Sequence, residues 1–229
     1  MGNQAGINYA VEFLEADYII IANPDIHVTS RCIERVKQAL DNTEGAVMAS
    51  ARVTDPQGKD LFSYWTLLPL WKDLLDTGLI TRRLFKDMLN TPPYRLPNAG
   101  DEGSRLVDAV PGSFFMLKPG LLTPQDIEGL FDSRIFLYYE EKVLGRKFQE
   151  MGLKTVLVTD ESYVHAHSAT IDKSLKRMVD KQRLLHQSKL YYYREYLHAG
   201  PALMAAAGVA LDIILAEVWF LTVVCRMRW

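Results

Sequence analysis

Asp17-Tyr18-Ile19-Ile20-Ile21-Ala22-Asn23-Pro24-Asp25 is a short apolar run that stops in a turn sequence. Ile19–Ile21 is β-branched and carries no polar alternation. Asn-Pro-Asp then breaks the pattern, so the run reads as a buried parallel strand rather than a helix. Upstream, Ile7, Ala10, Val11 and Leu14 share one helical face, which predicts a helix over Asn3–Glu15. Downstream, Thr29 or Ser30 is placed to cap a second helix. Its inner face is Ile33, Val36 and Leu40, and Asn42–Gly45 ends it. Ala46–Ser50 is the next strand. Helix, strand, helix, strand with short connections predicts an α/β layered sheet.

The rest of the chain is more broken. Residues 61–105 are rich in turn formers and read as irregular. Leu106–Val110 and Ser113–Leu117 flank Pro111-Gly112 and read as strand, tight turn, strand. A helix is expected at about Glu141–Met151, with Leu144, Phe148 and Met151 as its stripe and Gly152 as its stop. Thr155–Val158 and Tyr163–His165 are short strands, and from Ile171 the pattern is helical. The organisation expected is a core over residues 1–170 and a helical extension over 171–229.

The chain has 229 residues, 48% apolar and 24% charged, values that exclude wholesale disorder and a collagen-like fibre. The net charge of −2 gives no support to nucleic-acid binding through overall charge. Cys32 and Cys225 are too few and too far apart for a disulfide framework. Met1–Gly6 lacks the basic start and apolar run of a signal peptide, so a reducing, cytosolic setting is expected.

Four stretches carry candidate chemistry. Asn23-Pro24-Asp25 lies past the carboxyl end of a buried strand, the edge where open α/β sheets bind ligands. Asp25 offers a hard oxygen ligand for Mg²⁺ or Mn²⁺, though Asn-Pro-Asp is also ordinary turn chemistry. Tyr138-Tyr139-Glu140-Glu141 sets two acids at a helix start. Either they interact with the helix dipole or one of them is a general base. Tyr163-Val164-His165-Ala166-His167 places two imidazoles on one side of an extended chain, as metal ligands or as hydrogen-bonded structural groups. Val110-Pro111-Gly112-Ser113-Phe114-Phe115 permits close backbone approach to a ligand, or is a plain corner.

The order of these pieces is more specific than any one of them. Gly2-Asn3-Gln4-Ala5-Gly6-Ile7-Asn8, Asn23-Pro24-Asp25, Pro111-Gly112-Ser113-Phe114-Phe115, Leu130-Phe131-Asp132, Tyr138-Tyr139-Glu140-Glu141 and a late His follow one another. The succession resembles family 2 glycosyltransferases of the GT-A fold, in particular the rhamnosyltransferase-like branch, over about residues 1–170. The resemblance implies a GT-A-like, Rossmann-like mixed sheet flanked by helices. It also implies inverting transfer of a sugar, rhamnose or a hexose, from a nucleotide-diphosphate donor to a saccharide or lipid-linked saccharide acceptor in cell-surface polysaccharide synthesis. Asp25 would hold Mg²⁺ or Mn²⁺ with His165 (His167 as the fallback). Asn23, Gly112 and Ser113 would border the donor, Glu141 would be the base and Glu140 its neighbour. Asn23 stands where the family has an acid, Glu141 where it has Asp, and Ser133 where it has Glu. The family's nucleotide-binding β-α-β unit would precede residue 1, so a core truncated at its N-terminus is expected. A non-catalytic remnant or binding subunit is the alternative, and oligomerisation stays open.

Residues 172–195 carry seven Lys/Arg against three acids and end in tyrosines, as a membrane-surface element or a solvated helix face would. Pro201–Cys225 follows, a 25-residue apolar run containing Asp212 and Glu217. Its eleven Leu, Ile, Val and Phe contribute about −3 to −7 kcal/mol to insertion, and two central acids cost about +5 to +7 kcal/mol. The sum is near zero. A span, an interfacial helix and a helix packed on a partner all remain open, with association at the cytoplasmic, inner face of the cell membrane expected.

Overall fold

The computed structural model describes residues 2–89, 103–135, 138–166 and 178–226. These form two compact units. One draws on Met1–Leu67, Pro92–Arg134 and Glu140–His167, the other on Leu68–Thr91, Ile135–Tyr139 and Ser168–Trp229.

The first unit is α/β. Its strands are β1 (Ile19–Ala22), β2 (Ile26–His27), β3 (Ala46–Thr54), β4 (Ser104–Val107), β5 (Phe114–Leu117) and β6 (Lys154–His165). They make one mixed, open sheet in the order β1-β5-β3-β6-β2, with β4 also on β6. β3 and β6 pair in parallel along nearly their whole length. β6 takes β4 against Thr155–Val158 and β2 against Val164–His165. Between these stretches the register jumps from Ala51↔Val158 to Arg52↔Ser162, so Thr159–Glu161 bulges out. Asp160 and Glu161 in that bulge pair with Arg35 and Arg31 at 2.9 and 2.6 Å.

Helices cover both faces, as in a Rossmann-like layer. α2 (Ser30–Asn42) starts where Thr29 Oγ1 accepts the Cys32 N–H at 3.1 Å. Its Cys32, Val36, Ala39 and Leu40 pack with Phe114, Met116, Val156, Val158 and Tyr163. α1 (Gly2–Leu14), α6 (Pro124–Glu128) and α7 (Glu140–Glu150) serve the other face, where Ile7, Ile127, Leu144 and Phe148 meet Phe115, Leu117 and Leu157. Alternate strand residues thus feed opposite cores, as the two-residue period of a strand requires. α7 lies so close to the sheet that a Cβ on Gly145 would collide with the Asp108 carbonyl oxygen.

The structure corrects two sequence expectations here. β1 is not a parallel strand. It ends the sheet, pairs antiparallel with β5, and leaves Ile20 42% exposed. An unbroken apolar run reports burial but not the direction of the neighbour. Nor do residues 106–117 form a hairpin: β4 pairs with β6, while Ala109 exchanges backbone hydrogen bonds with Trp65 at 2.9 and 3.2 Å. The Asp108 carboxylate accepts the Leu67 N–H at 2.8 Å, so Asp108 and Ala109 are occupied before a turn can form.

The second unit is helical among its described residues: α3 (Leu70–Leu75), α4 (Leu79–Leu84), α5 (Lys86–Leu89), α8 (Met178–Glu195) and α9 (Pro201–Trp219), followed by a π-helical turn over Phe220–Val224. The stretch read as irregular therefore holds three short helices. Its centre is Asp73, whose Oδ2 accepts Tyr139 Oη at 2.5 Å, Lys189 Nζ at 2.6 Å and Tyr193 Oη at 2.6 Å. All four residues are buried. Burial, then the Asp73 charge, raises both tyrosines well above their ordinary range, so both phenols stay protonated as donors.

Two stability outcomes are expected. Gly145→Ala should destabilise the chain by about 2–3 kcal/mol in denaturant unfolding, because α7 must lift from the Asp108 carbonyl. Asp73→Ala should cost about 3–5 kcal/mol by leaving the Lys189 ammonium buried without a counter-charge, and Asp73→Leu combined with Lys189→Met should recover only part of it, because the Tyr139 and Tyr193 hydroxyls lose the acceptor they share.

Candidate active site at the carboxyl edge of the sheet

β1, β3 and β6 run in the same sense, and β5 runs against them. The carboxyl ends of the first three therefore share an edge with the start of β5. Asn23, the residue after β1, donates its N–H to the Ser113 carbonyl at 2.8 Å. Pro24 and Asp25 turn the chain into β2, whose Ile26 lies opposite His165. The turn is pinned by the Ala166 N–H on the Asp25 carbonyl at 3.0 Å. These bonds bring Asp25 Oδ1 to 3.4 Å from His165 Nε2.

Ser113 is buried, and its Oγ shares a hydrogen bond with the Tyr163 phenol at 2.7 Å. Tyr163 lies two residues before His165, so the same alternation that flags the histidine also picks out this tyrosine. Burial, the largest effect, raises the Tyr163 phenol above its ordinary range despite the opposing Ser113 hydrogen bond. It is a hydrogen-bonding group, not a base.

Next along the loop, the Gly112 N–H donates to Glu141 Oε1 at 3.3 Å. A Cβ on Gly112 would sit 3.3 Å from the same oxygen, so the absence of a side chain admits the carboxylate. Glu141 is pushed up to about 8, first by burial and then by the neighbouring Glu140 charge. Burial also raises Glu140, whose Oε2 is buried with no hydrogen-bond partner. Tyr138 and Tyr139, just before α7, both have left-handed backbone, with φ of 66° and 72°. Two such non-glycine residues cost on the order of 1–3 kcal/mol each, a strain that collects at functional sites.

Two contacting groups, Asp25 with His165 and Gly112 with Glu141, thus lie along one sheet edge, linked through the Asn23–Ser113 backbone bond and through β6, which carries both Tyr163 and His165. Asn23 contributes backbone, and its side chain is exposed. Asp132 stands apart from them: its carboxylate accepts the Arg134 N–H at 3.0 Å and Nε at 3.1 Å, closing a local turn. His167 lies outside the described residues.

Asp25 offers the hard oxygen that Mn²⁺ and Mg²⁺ take, and His165 an imidazole nitrogen, a donor that suits a transition metal such as Mn²⁺ better than Mg²⁺. Two donors in adjacent octahedral positions, each about 2.1 Å from such an ion, lie about 3 Å apart, close to the observed spacing. No group of three or more His, Cys, Asp or Glu converges among the described residues. A ligand bringing its own oxygens would complete the coordination, as phosphates do in Mg²⁺ sites. The chain matches no protein-family model and no curated protein.

Glu141 has a stability signature. Below pH 4.5 its carboxyl is neutral folded and unfolded alike. Between pH 4.5 and about 8 the unfolded chain releases this proton while the native chain keeps it. Stability from this group therefore falls as pH rises, by at most about 1.4 kcal/mol per pH unit. Glu141→Gln, whose amide oxygen still accepts from Gly112, should raise the Tm at pH 8 and leave it unchanged at pH 4 in scanning calorimetry.

Proposed function

We propose that this chain is an inverting, metal-dependent glycosyltransferase of GT-A type. It moves a sugar from a nucleotide-diphosphate donor to a hydroxyl of a saccharide or lipid-linked saccharide at the inner face of the cell membrane. The observation that carries the reading is a buried carboxylate, raised to about 8, on the same sheet edge as the Asp25–His165 pair. Transfer with inversion asks for that division of labour, with a base beside the acceptor and an anion-holding centre beside the leaving group.

Glu141 takes the proton from the acceptor hydroxyl as its oxygen bonds to the anomeric carbon and the bond from that carbon to the diphosphate breaks. A pKa near the working pH suits a general base, because enough of it is ionised while its proton affinity stays high. Glu140, next in sequence and with one oxygen lacking a partner, lifts that affinity further. Asp25 and His165 would hold a Mg²⁺ or Mn²⁺ ion, which when bound supplies electrostatic stabilisation of the diphosphate leaving group. Gly112 and Ser113 present backbone beside the sugar, and Tyr163 fixes the Ser113 hydroxyl.

The test uses the full chain with Mn²⁺ and a panel of UDP- and dTDP-sugars, including dTDP-rhamnose, by calorimetry and by product release. Mn²⁺-dependent donor binding is expected. Turnover should rise with pH and level off above about 8 as Glu141 ionises. Glu141→Gln should lower kcat by about 10²–10⁴-fold and leave donor affinity within about twofold. Retained turnover in that variant would move the base elsewhere. Donor binding without turnover under any condition would identify a binding subunit instead.

A further inference from the structure

The apolar helix α9 has two faces that do different things, and this holds whatever reaction the sheet edge performs. Ala207, Leu211, Ile214 and Val218 form a buried stripe, and α9 packs on α8, α3 and α4 within its unit. Glu217 belongs to this packed side: its Oε1 accepts the Ile80 N–H at 2.7 Å, capping the first turn of α4. The opposite side is uncovered. Val209, Ile213, Ala216, Phe220, Val223 and Val224 recur at helical spacing there, with Val209 62% and Ile213 65% exposed. Pro201–Val224 is, by length and composition, long and apolar enough to cross a bilayer.

We propose that this exposed ribbon is a lipid-contacting surface and that α9 lies in the plane of the membrane interface rather than across the bilayer. Three observations favour the in-plane arrangement. A spanning α9 would have to leave α3 and α8 or draw them into hydrocarbon, and those helices hold the buried Asp73–Lys189 ion pair. Asp212 is exposed beside the ribbon; a span would set it near mid-membrane, whereas an in-plane helix lets it reach water. Trp219 flanks the ribbon at 50% exposure, as indoles do at the headgroup level, and Arg226 follows the final turn.

A second copy of the chain fits the ribbon less well. Helix pairing is set by charges flanking the apolar seam. Here one flank carries Asp212, and no Lys or Arg occurs between Pro201 and Cys225 to meet it.

The experiment is flotation of the full chain with vesicles of phosphatidylcholine, alone and mixed with phosphatidylglycerol. Val209→Glu combined with Ile213→Glu touches only exposed positions, and unchanged circular dichroism shows that it folds. The parent chain should float, and the double variant should lose at least ~10-fold in partitioning. For orientation, nitroxides at Ile213→Cys, Ala216→Cys and Val223→Cys in a Cys225→Ser background report depth. All three should lie at one shallow level, about 5–10 Å below the phosphates. A graded depth reaching the midplane at position 213 would overturn the in-plane arrangement. Absence of flotation, or a dimer in sedimentation that the double variant dissolves, would overturn the lipid surface altogether.

Discussion

The parallel pairing of β3 with β6 is the constraint from which the rest of the first unit follows. β3 is an almost wholly buried strand, and β6, twelve residues long, runs beside it from Ala46↔Lys154 to Thr54↔Val164. Because β6 outlasts β4, its last residues are free to take β2, and β2 is two residues long. Such a short strand has little pairing energy of its own. It holds because Ile26 and His27 are anchored on a strand fixed elsewhere. The Asn-Pro-Asp turn is thereby clamped between β5, through Asn23, and β6, through Ala166. The spacing of Asp25 and His165 is a consequence of this strand order.

The chain handles buried carboxylates in two opposite ways. Asp73 is surrounded by an ammonium and two phenols, so its charge is fully met, and a satisfied buried pair of this kind fixes structure. Glu141 accepts its own backbone N–H and, at 3.3 Å, that of Gly112, and Glu140 beside it has an oxygen with no partner. A carboxyl left so poorly solvated keeps its proton to high pH, which costs stability and leaves it reactive. The same residue class thus serves architecture in one unit and candidate chemistry in the other, according to how many donors reach it.

Much of the layer architecture was legible in the sequence. Asn3–Glu15 and the helix capped by Thr29 appear within a residue or two as α1 and α2, because amphipathic period and cap chemistry are local signals. The run Ile19–Ala22 was recognisable as a strand. Its antiparallel neighbour was not, because strand direction is decided by where the partner comes from. The supposed hairpin at Pro111-Gly112 failed for a similar reason: Trp65 and Leu67, over forty residues away, claim Asp108 and Ala109. At the site, Asp25, Glu141 and His165 were each visible as chemistry-bearing residues in suggestive turns. Tyr163 alternates with His165 along β6, but its link to Ser113 depends on a residue fifty positions away.

Sequence by itself determined what depends on neighbours along the chain. That covers the amphipathic helices, the apolar strand, the turn at Asn23–Asp25, the two acids at a helix start and the length of the apolar run after Pro201. Tertiary structure alone decided which residues meet. It set the antiparallel edge, the contact of Gly112 with Glu141, the donors around Asp73 and the side of α9 left bare. It also decided that Glu217 is spent on an α4 cap, which no count of acids in an apolar run reveals. The physical reason is range. Propensity and period act over a few residues, whereas burial, and with it the pKa of a carboxyl, is set by atoms that arrive from distant parts of the chain.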